Sequence, residues 1–283
     1  MKSEQLAWLI RRHGIEMTHI SHGSHIGSVL SVADIVAVLY NGAANISPEN
    51  LKDESRDRIV LSKGHAGAAI YAALAEKGFF PIEELKTHYA DGSRLSGHVS
   101  HKGVPGVEIS TGSLGHGACM ACGIALNAKL ENKDYYTYAI VGDGECDEGS
   151  IWEMALFANH FNLNKFVVIV DHNKMQSLDF CENTLSLSPF AKKWEAFGWN
   201  VCDIDGHNHD EIKKAIDTAK RSKDKPTVII ANTVKGKGVS FMENDILWHY
   251  RFPHEGEEYD GALKELRAQM PDGVVDPYEE EVR

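Results

Sequence analysis

No stretch of this 283-residue sequence concentrates lysine and arginine, and 41 acidic residues outnumber 29 basic ones for a formal charge of -12. That removes the electrostatic footprint a nucleic-acid or anionic-membrane surface requires. An anionic small molecule then has to be held locally, by a metal, by helix N-termini or by a few histidines and lysines. The ~20-residue apolar run of a membrane span is also missing, and the first ten residues carry Lys2 and Glu4. The expectation is a cytoplasmic protein. Cysteines number five, an odd count that argues for reduced thiols over a disulfide framework. The one Cys-x-x-Cys, Cys119 and Cys122, lies in an Ala/Gly-rich helical run without a second pair. It reads as two small buried cysteines one turn apart, not as a redox or zinc site. No Gly-x-Gly-x-x-Gly follows a strand pattern, which sets aside a nicotinamide-binding enzyme.

What is present is a core-forming chain, 43% hydrophobic and 25% charged, with no internal repeat or low-complexity linker. Short runs rich in β-branched or aromatic residues alternate with longer runs of helical period, the pattern of a parallel sheet with crossover helices. Strands are expected at 58–61, 136–141, 166–170, 200–204 and 227–232, and helices at 5–18, 32–40, 66–77, 116–130, 150–161, 189–197 and 210–221. The fold class is α/β, a mostly parallel sheet flanked by helices, in a single domain over 1–283. Two stretches resist the pattern: 88–113, Gly-rich with three histidines, and 233–253, with Lys235-Gly-Lys237-Gly and Trp248-His249. Chain that builds no core is free to shape a site. The acidic tail 276–283 reads as a solvated end.

Gly142-Asp143-Gly144 follows the strand pattern 136–141 directly, which sets Asp143 at a strand's carboxyl end, where ligands bind in open α/β sheets. The glycines let the backbone turn sharply and approach a phosphate. Thirty residues on, Asn173 follows the next strand, and a crossover returns it to the same rim. A small divalent cation such as magnesium takes about six oxygens, one or two from side chains and the rest from phosphate and water. Asp143, the Asn173 amide oxygen and a nearby carbonyl leave room for a diphosphate. A helix beginning near Ser150 can direct amides toward it. An unrelated Gly-Asp-Gly turn with an Asn cap is the plain alternative.

The run from Gly142 to Gly149 through Asp171-His172-Asn173 resembles the thiamine-diphosphate motif of the transketolase family. The resemblance implies that Asp143 and Asn173 bind magnesium through their side chains and Met175 through its carbonyl, and that Gly144 and Glu145 lie at the diphosphate. Ser24-His25-Ile26-Gly27, Leu61-Ser62-Lys63-Gly64-His65 and Ser96-Gly97-His98 with Thr111-Gly112-Ser113-Leu114-Gly115 are similar to further segments of the family. By that similarity His25, His65 and His98 line the substrate channel and the cofactor, His65 contacting both, while Gly112, Ser113 and Leu114 hold the cofactor's middle. His249, in Leu247-Trp248-His249, is the candidate for a histidine near the substrate carbonyl. An imidazole titrates near neutrality and can shuttle a sugar-hydroxyl proton. Glu148 matches a glutamate at the interface between active-site halves, and equally reads as a first-turn acid favoured by the helix dipole. Lys235 and Lys237 are within reach of a phosphate, but exposed lysines need no such reason. The sequence departs from the family's pattern at Ile26, Ser113 and His116.

In transketolases the group that ionises the cofactor is a glutamate on a separate pyrimidine-binding domain, and the resemblance ends before that domain. It implies an N-terminal subunit of a split transketolase that moves a two-carbon ketol unit between sugar phosphates. The partner implied is a C-terminal subunit that supplies the glutamate, in an α2β2 assembly. The α subunit of a 2-oxo-acid dehydrogenase, a deoxyxylulose-phosphate synthase and a non-catalytic thiamine-diphosphate-binding remnant are the rival readings.

Overall fold

The computed structural model describes residues 1–279. Its strands, β1 (Arg58–Leu61), β2 (Thr137–Gly142), β3 (Phe166–His172), β4 (Asn200–Asp205) and β5 (Thr227–Asn232), form one parallel sheet in the order β1-β2-β3-β5-β4. The α/β architecture expected from the sequence is the one observed, with each strand within two residues of its expected place. Helices α1 (Ser3–Ser21), α2 (Ile26–Val38), α3 (Gly67–Glu76), α4 (His116–Leu130), α5 (Gly149–His160), the single turn α6 (Cys181–Thr184), α7 (Phe190–Ala196), α8 (His209–Lys220) and α9 (Glu257–Ala268) surround it.

Alternate residues of each strand serve different layers. Ile59, Tyr138, Ile140, Val167, Ile169 and Ile229 pack with α1, α2, α3 and α8. Their neighbours Val60, Ala139, Val141, Val168, Val170 and Ile230 pack with α4, α5 and α7. A strand buried on both faces reads as an unbroken apolar run, which is why these strands were legible. Each buried Val, Ile or Leu contributes about 1.5–3 kcal/mol, and a one-residue slip would exchange the two layers, so the pattern itself fixes register.

Four expectations need correction. Helix α2 begins at Ile26, six residues ahead of the expected start, because Ser28 and Ser31 are buried within it and Ser31 Oγ donates to the Ser28 carbonyl at 3.1 Å. With the π turn that follows, 26–43 is an 18-residue stretch of mean hydropathy 1.6, long and apolar enough to pass for a span, yet 83% of it is buried inside the fold. A helix apolar all round is what a core position between sheet and outer helices requires. Helix α9 was not anticipated; it buries Ala262, Leu263 and Leu266, and its Leu266 carbonyl accepts from Trp8 Nε1 of α1 at 2.7 Å. Lastly, Asp276 is buried, ion-paired to Arg12 and Arg267 at 3.0 Å each; residues 280–283 of the expected tail lie outside the described residues. Of the two neighbouring cysteines, Cys122 is buried and Cys119 half-buried, both as free thiols.

Candidate active site

The carboxyl ends of β1, β2, β3 and β5 open on one rim of the sheet, and the loops leaving them enclose a cleft of about 230 Å³. Asp143 and Glu145 reach it from β2, Asn173 and Met175 from β3, Lys63 and His65 from β1, and Lys235 and His249 from the chain after β5. The N-terminus of α2 adds His25, and the irregular 88–113 stretch adds His98. Both segments that resisted secondary-structure assignment thus contribute to the site.

Asp143 sits beside the β3 loop because Gly142 and Asp171 are paired in register. Its Oδ1 accepts from Gly144 N–H at 2.8 Å and its Oδ2 from Lys174 N–H at 2.5 Å. Burial, joined by the charge of Asp171, raises its pKa, and among the described residues no ion pair neutralises it. Asn173 and Met175 lie on the same loop and line the same cleft; Asn173 Oδ1 accepts from Met175 N–H at 3.1 Å and the Met175 carbonyl from Lys235 Nζ at 3.4 Å, each keeping a further lone pair. A buried, unpaired carboxylate with amide and carbonyl oxygens is the donor set a hard divalent cation takes. Neither Gly144 nor Gly142 has a positive φ; a Cβ on Gly144 would lie 2.8 Å from Gln176 Cγ, so any larger residue there has to displace the Gln176 side chain.

Asp171 directs the rim from below. Fully buried, it accepts from Lys63 Nζ at 2.5 Å, from Ser31 Oγ at 2.6 Å and from Thr233 Oγ1. Burial alone would raise its pKa, but Lys63 and the two hydroxyls hold it below the ordinary carboxylate value.

The four histidines converge. Ring centroids lie 5.2 Å apart for His25–His65, 5.4 Å for His25–His98, 5.0 Å for His25–His249 and 5.5 Å for His65–His249. His25 adopts a left-handed backbone, φ 77°, and its N–H donates to the His249 carbonyl at 3.0 Å. A residue preceding proline is confined to the extended region, so this geometry goes with Ile26 standing at the family's proline position. Burial first, then neighbouring cations, lowers His25 to a pKa of about 4 and His249 to about 3, and His65 well below its ordinary value. These imidazoles are neutral at pH 7. Lys235 Nζ donates to His249 Nδ1 at 2.8 Å, which leaves the His249 proton on Nε2.

Not every sequence-assigned residue lines the cleft. Ser113 is exposed and does not, whereas its neighbours Gly112 and Leu114 do. Glu145 does, but its carboxylate is committed to protein donors, Ser62 Oγ, Gly115 N–H at 2.9 Å and Gly142 N–H at 3.1 Å. It braces three segments at the edge of the cleft. The amides expected from a helix near Ser150 are displaced: a 3-10 turn, Gly144–Asp147, intervenes, and no residue of α5 lines the cleft. Glu148 is exposed at the α5 N-cap and makes no side-chain capping bond. Sequence reasoning underrated Lys235, which is 1% exposed, and gave Lys63 and Asp171 no role of their own. Lys63 stands inside a quoted motif and Asp171 two residues before Asn173, so proximity was the available signal.

Comparison with known proteins places this geometry. The sequence model described as "Transketolase, thiamine diphosphate binding domain" matches residues 3–251. The 6-deoxy-6-sulfo-D-fructose transketolase subunit of Clostridium sp. (strain MSTE9) is 46% identical over 245 residues, covering 87% of this chain and 89% of that one. An apulose-4-phosphate transketolase subunit from Actinobacillus succinogenes is 41% identical, over 93% of this chain and 95% of that one. The crystal structure of transketolase from Campylobacter jejuni superposes with a TM-score of 0.88 at 29% identity over 99% of this chain, which spans 44% of that enzyme. The chain belongs to the transketolase family, as a form of its thiamine-diphosphate-binding domain.

Proposed function

We propose that this chain is the N-terminal subunit of a thiamine-diphosphate- and magnesium-dependent transketolase, active with a separate partner subunit. The observation that carries the reading is the buried, unpaired Asp143 carboxylate facing the same cleft as Asn173, Met175 and the four histidines. Asp143, Asn173 Oδ1 and the Met175 carbonyl would hold magnesium, and Lys235 would add positive charge for a diphosphate. When bound, the cofactor supplies the carbon nucleophile that adds to a ketose carbonyl and takes up the electrons of the broken C–C bond.

The chain's own residues orient and move protons. His249, with its proton on Nε2, donates to an oxygen in the cleft, and a neutral imidazole is suited to polarise a carbonyl. His25, His65 and His98 offer lone pairs or N–H groups to sugar hydroxyls. An anion bound beside Lys235 favours the protonated forms and raises the depressed imidazole pKa values back toward neutral pH.

Two features support a partner. Relatives matching nearly end to end are named as subunits. Helices α4 and α5, packed on each other, expose Met120, Leu156 and Phe157, joined by Phe161 at the C-cap of α5, an apolar surface suited to an interface. The partner would carry the pyrimidine-binding domain and its activating glutamate in an α2β2 assembly, and the compartment would be the cytoplasm. The names of the relatives include a sulfo sugar and a sugar phosphate, so the substrate class is a ketose with an anionic end group. The test is a ketol-transfer assay with the chain alone and with a candidate subunit that carries a transketolase-type pyrimidine-binding domain. Activity only in combination is expected; full activity without a partner, or pyruvate decarboxylation in its place, contradicts the reading.

A further inference from the structure

Behind the cleft, on the far side of the loop that carries Lys235, Asp34 of α2 gathers partners from two other places. Its carboxylate accepts from Arg11 of α1 at 3.2 and 2.5 Å, from His207 Nδ1 at 2.7 Å and from His209 Nε2 at 2.9 Å. Both histidines come from the stretch where β4 turns into α8. As an ion pair the cluster ties α1 and α2 to that turn, and a structural role would suffice if the contacts ended there.

They extend one step further. His207 Nε2 accepts the backbone N–H of Val234 at 2.8 Å, and Val234 directly precedes Lys235. A neutral imidazole carries one proton. Facing a carboxylate, Nδ1 carries it, and Nε2 is left as the acceptor Val234 needs; a carboxylate behind a histidine commonly fixes its tautomer and orientation in this way. The loop has further anchors: Thr233 Oγ1 donates to Asp171 and Thr233 N–H to the His172 carbonyl at 3.2 Å, Gly236 N–H donates to the Gly27 carbonyl at 3.0 Å, and Asn244 N–H to the Lys235 carbonyl at 2.9 Å. Gly236 has φ +84°, and a Cβ there would lie 2.2 Å from the Met242 carbonyl oxygen. With its backbone pinned on both sides, Lys235 extends its ammonium to the Gln176 carbonyl at 3.2 Å and to His249.

We propose that His207, held by Asp34 in its Nδ1–H form, is a positioning residue that fixes the backbone at Val234 and so places the Lys235 ammonium for a diphosphate in the cleft. This rests on the proposed reading of the cleft as a thiamine-diphosphate site. His207 touches neither cofactor nor substrate; it acts through Lys235.

The experiment uses the full chain and two substitutions that divide the two ring nitrogens. His207→Gln extends an amide oxygen toward the Nε2 position and keeps an acceptor for Val234. His207→Asn is shorter, keeps a donor for Asp34 and loses that acceptor. Hydrogen exchange at the Val234 amide and calorimetric titration with thiamine diphosphate in magnesium chloride are the readouts. Loss of the acceptor for a half-buried amide predicts, for His207→Asn, Val234 exchange about ten-fold faster and cofactor affinity about ten-fold weaker, with His207→Gln close to the unaltered chain in both. Equal impairment of the two variants, or unchanged Val234 exchange in His207→Asn, overturns the proposal. Nitrogen-15 shifts of the His207 ring in the unaltered chain give a second check that needs no variant to fold, since a proton on Nε2 also overturns it. Failure of the unaltered chain to bind thiamine diphosphate counts against the cofactor reading, and Val234 exchange and the ring tautomer then decide the positioning of the loop by themselves.

Discussion

Lys235 Nζ stands 2.8 Å from His249 Nδ1 and 3.2 Å from the Gln176 carbonyl, so one buried ammonium joins the histidine cluster to the loop that follows Asn173. Burial, reinforced by Lys63, lowers its pKa to about 8, while Asp143 and Asp171 oppose the shift. Holding this cation in a cleft is costly unless an anion arrives to share it. Lys235→Met removes the charge and keeps most of the volume. We expect thiamine-diphosphate affinity to fall at least ten-fold while the thermal midpoint of the free chain stays level or rises. A variant that binds the cofactor normally, titrated calorimetrically, removes Lys235 from the site.

Asp171 and Lys63 form a fully buried ion pair at 2.5 Å. Deleting one member strands the other, at a cost of about 3–5 kcal/mol. Asp171→Ala therefore lowers the thermal midpoint sharply, and adding Lys63→Met restores part of the loss. Chemical denaturation of the single and double variants measures the coupling; additive effects contradict it.

Stability should depend on pH through the buried imidazoles. Burial lowers His88, remote from the metal candidates, from 6.5 to a pKa of about 4. Between those values the unfolded chain binds the proton and the folded chain does not, so stability rises with pH across the window and falls as pH drops from 6.5 toward 4. His25 acts in the same direction. The His88 contribution is on the order of 3 kcal/mol, and His88→Gln should flatten the slope in denaturant titrations at pH 4.5 and 6.5. An unchanged slope contradicts this account of the buried ring.

Strands and cofactor loops were legible because their signals are local. β2 and β3 are buried runs rich in β-branched residues, and Asp143, Asn173, His25 and His65 sit in motifs a few residues long. Lys235 was not. Lys235 and Lys237 stand two apart in Lys-Gly-Lys-Gly, yet one is buried and the other has a side chain 39% exposed. Nothing adjacent separates them, because the difference comes from Gln176, His249 and the Asp34 cluster, all distant in sequence. Ser113, exposed and outside the cleft lining, is the converse case. Its motif is local, but the turn before α4 points it outward. The amphipathic signal of α9 was present in Ala262, Leu263 and Leu266, and was hidden by the irregular stretch ahead of it.

The central claim is a metal-dependent diphosphate site built on Asp143. Calorimetric titration of the full chain with thiamine diphosphate, with magnesium and then with chelator, tests it most directly, run in parallel on Asp143→Ala. The account predicts binding that needs magnesium and disappears in the variant, which still folds, because relief of the buried carboxylate charge offsets the loss of its bonds from the Gly144 and Lys174 N–H groups. Binding that is indifferent to magnesium, or undiminished in Asp143→Ala, would contradict it.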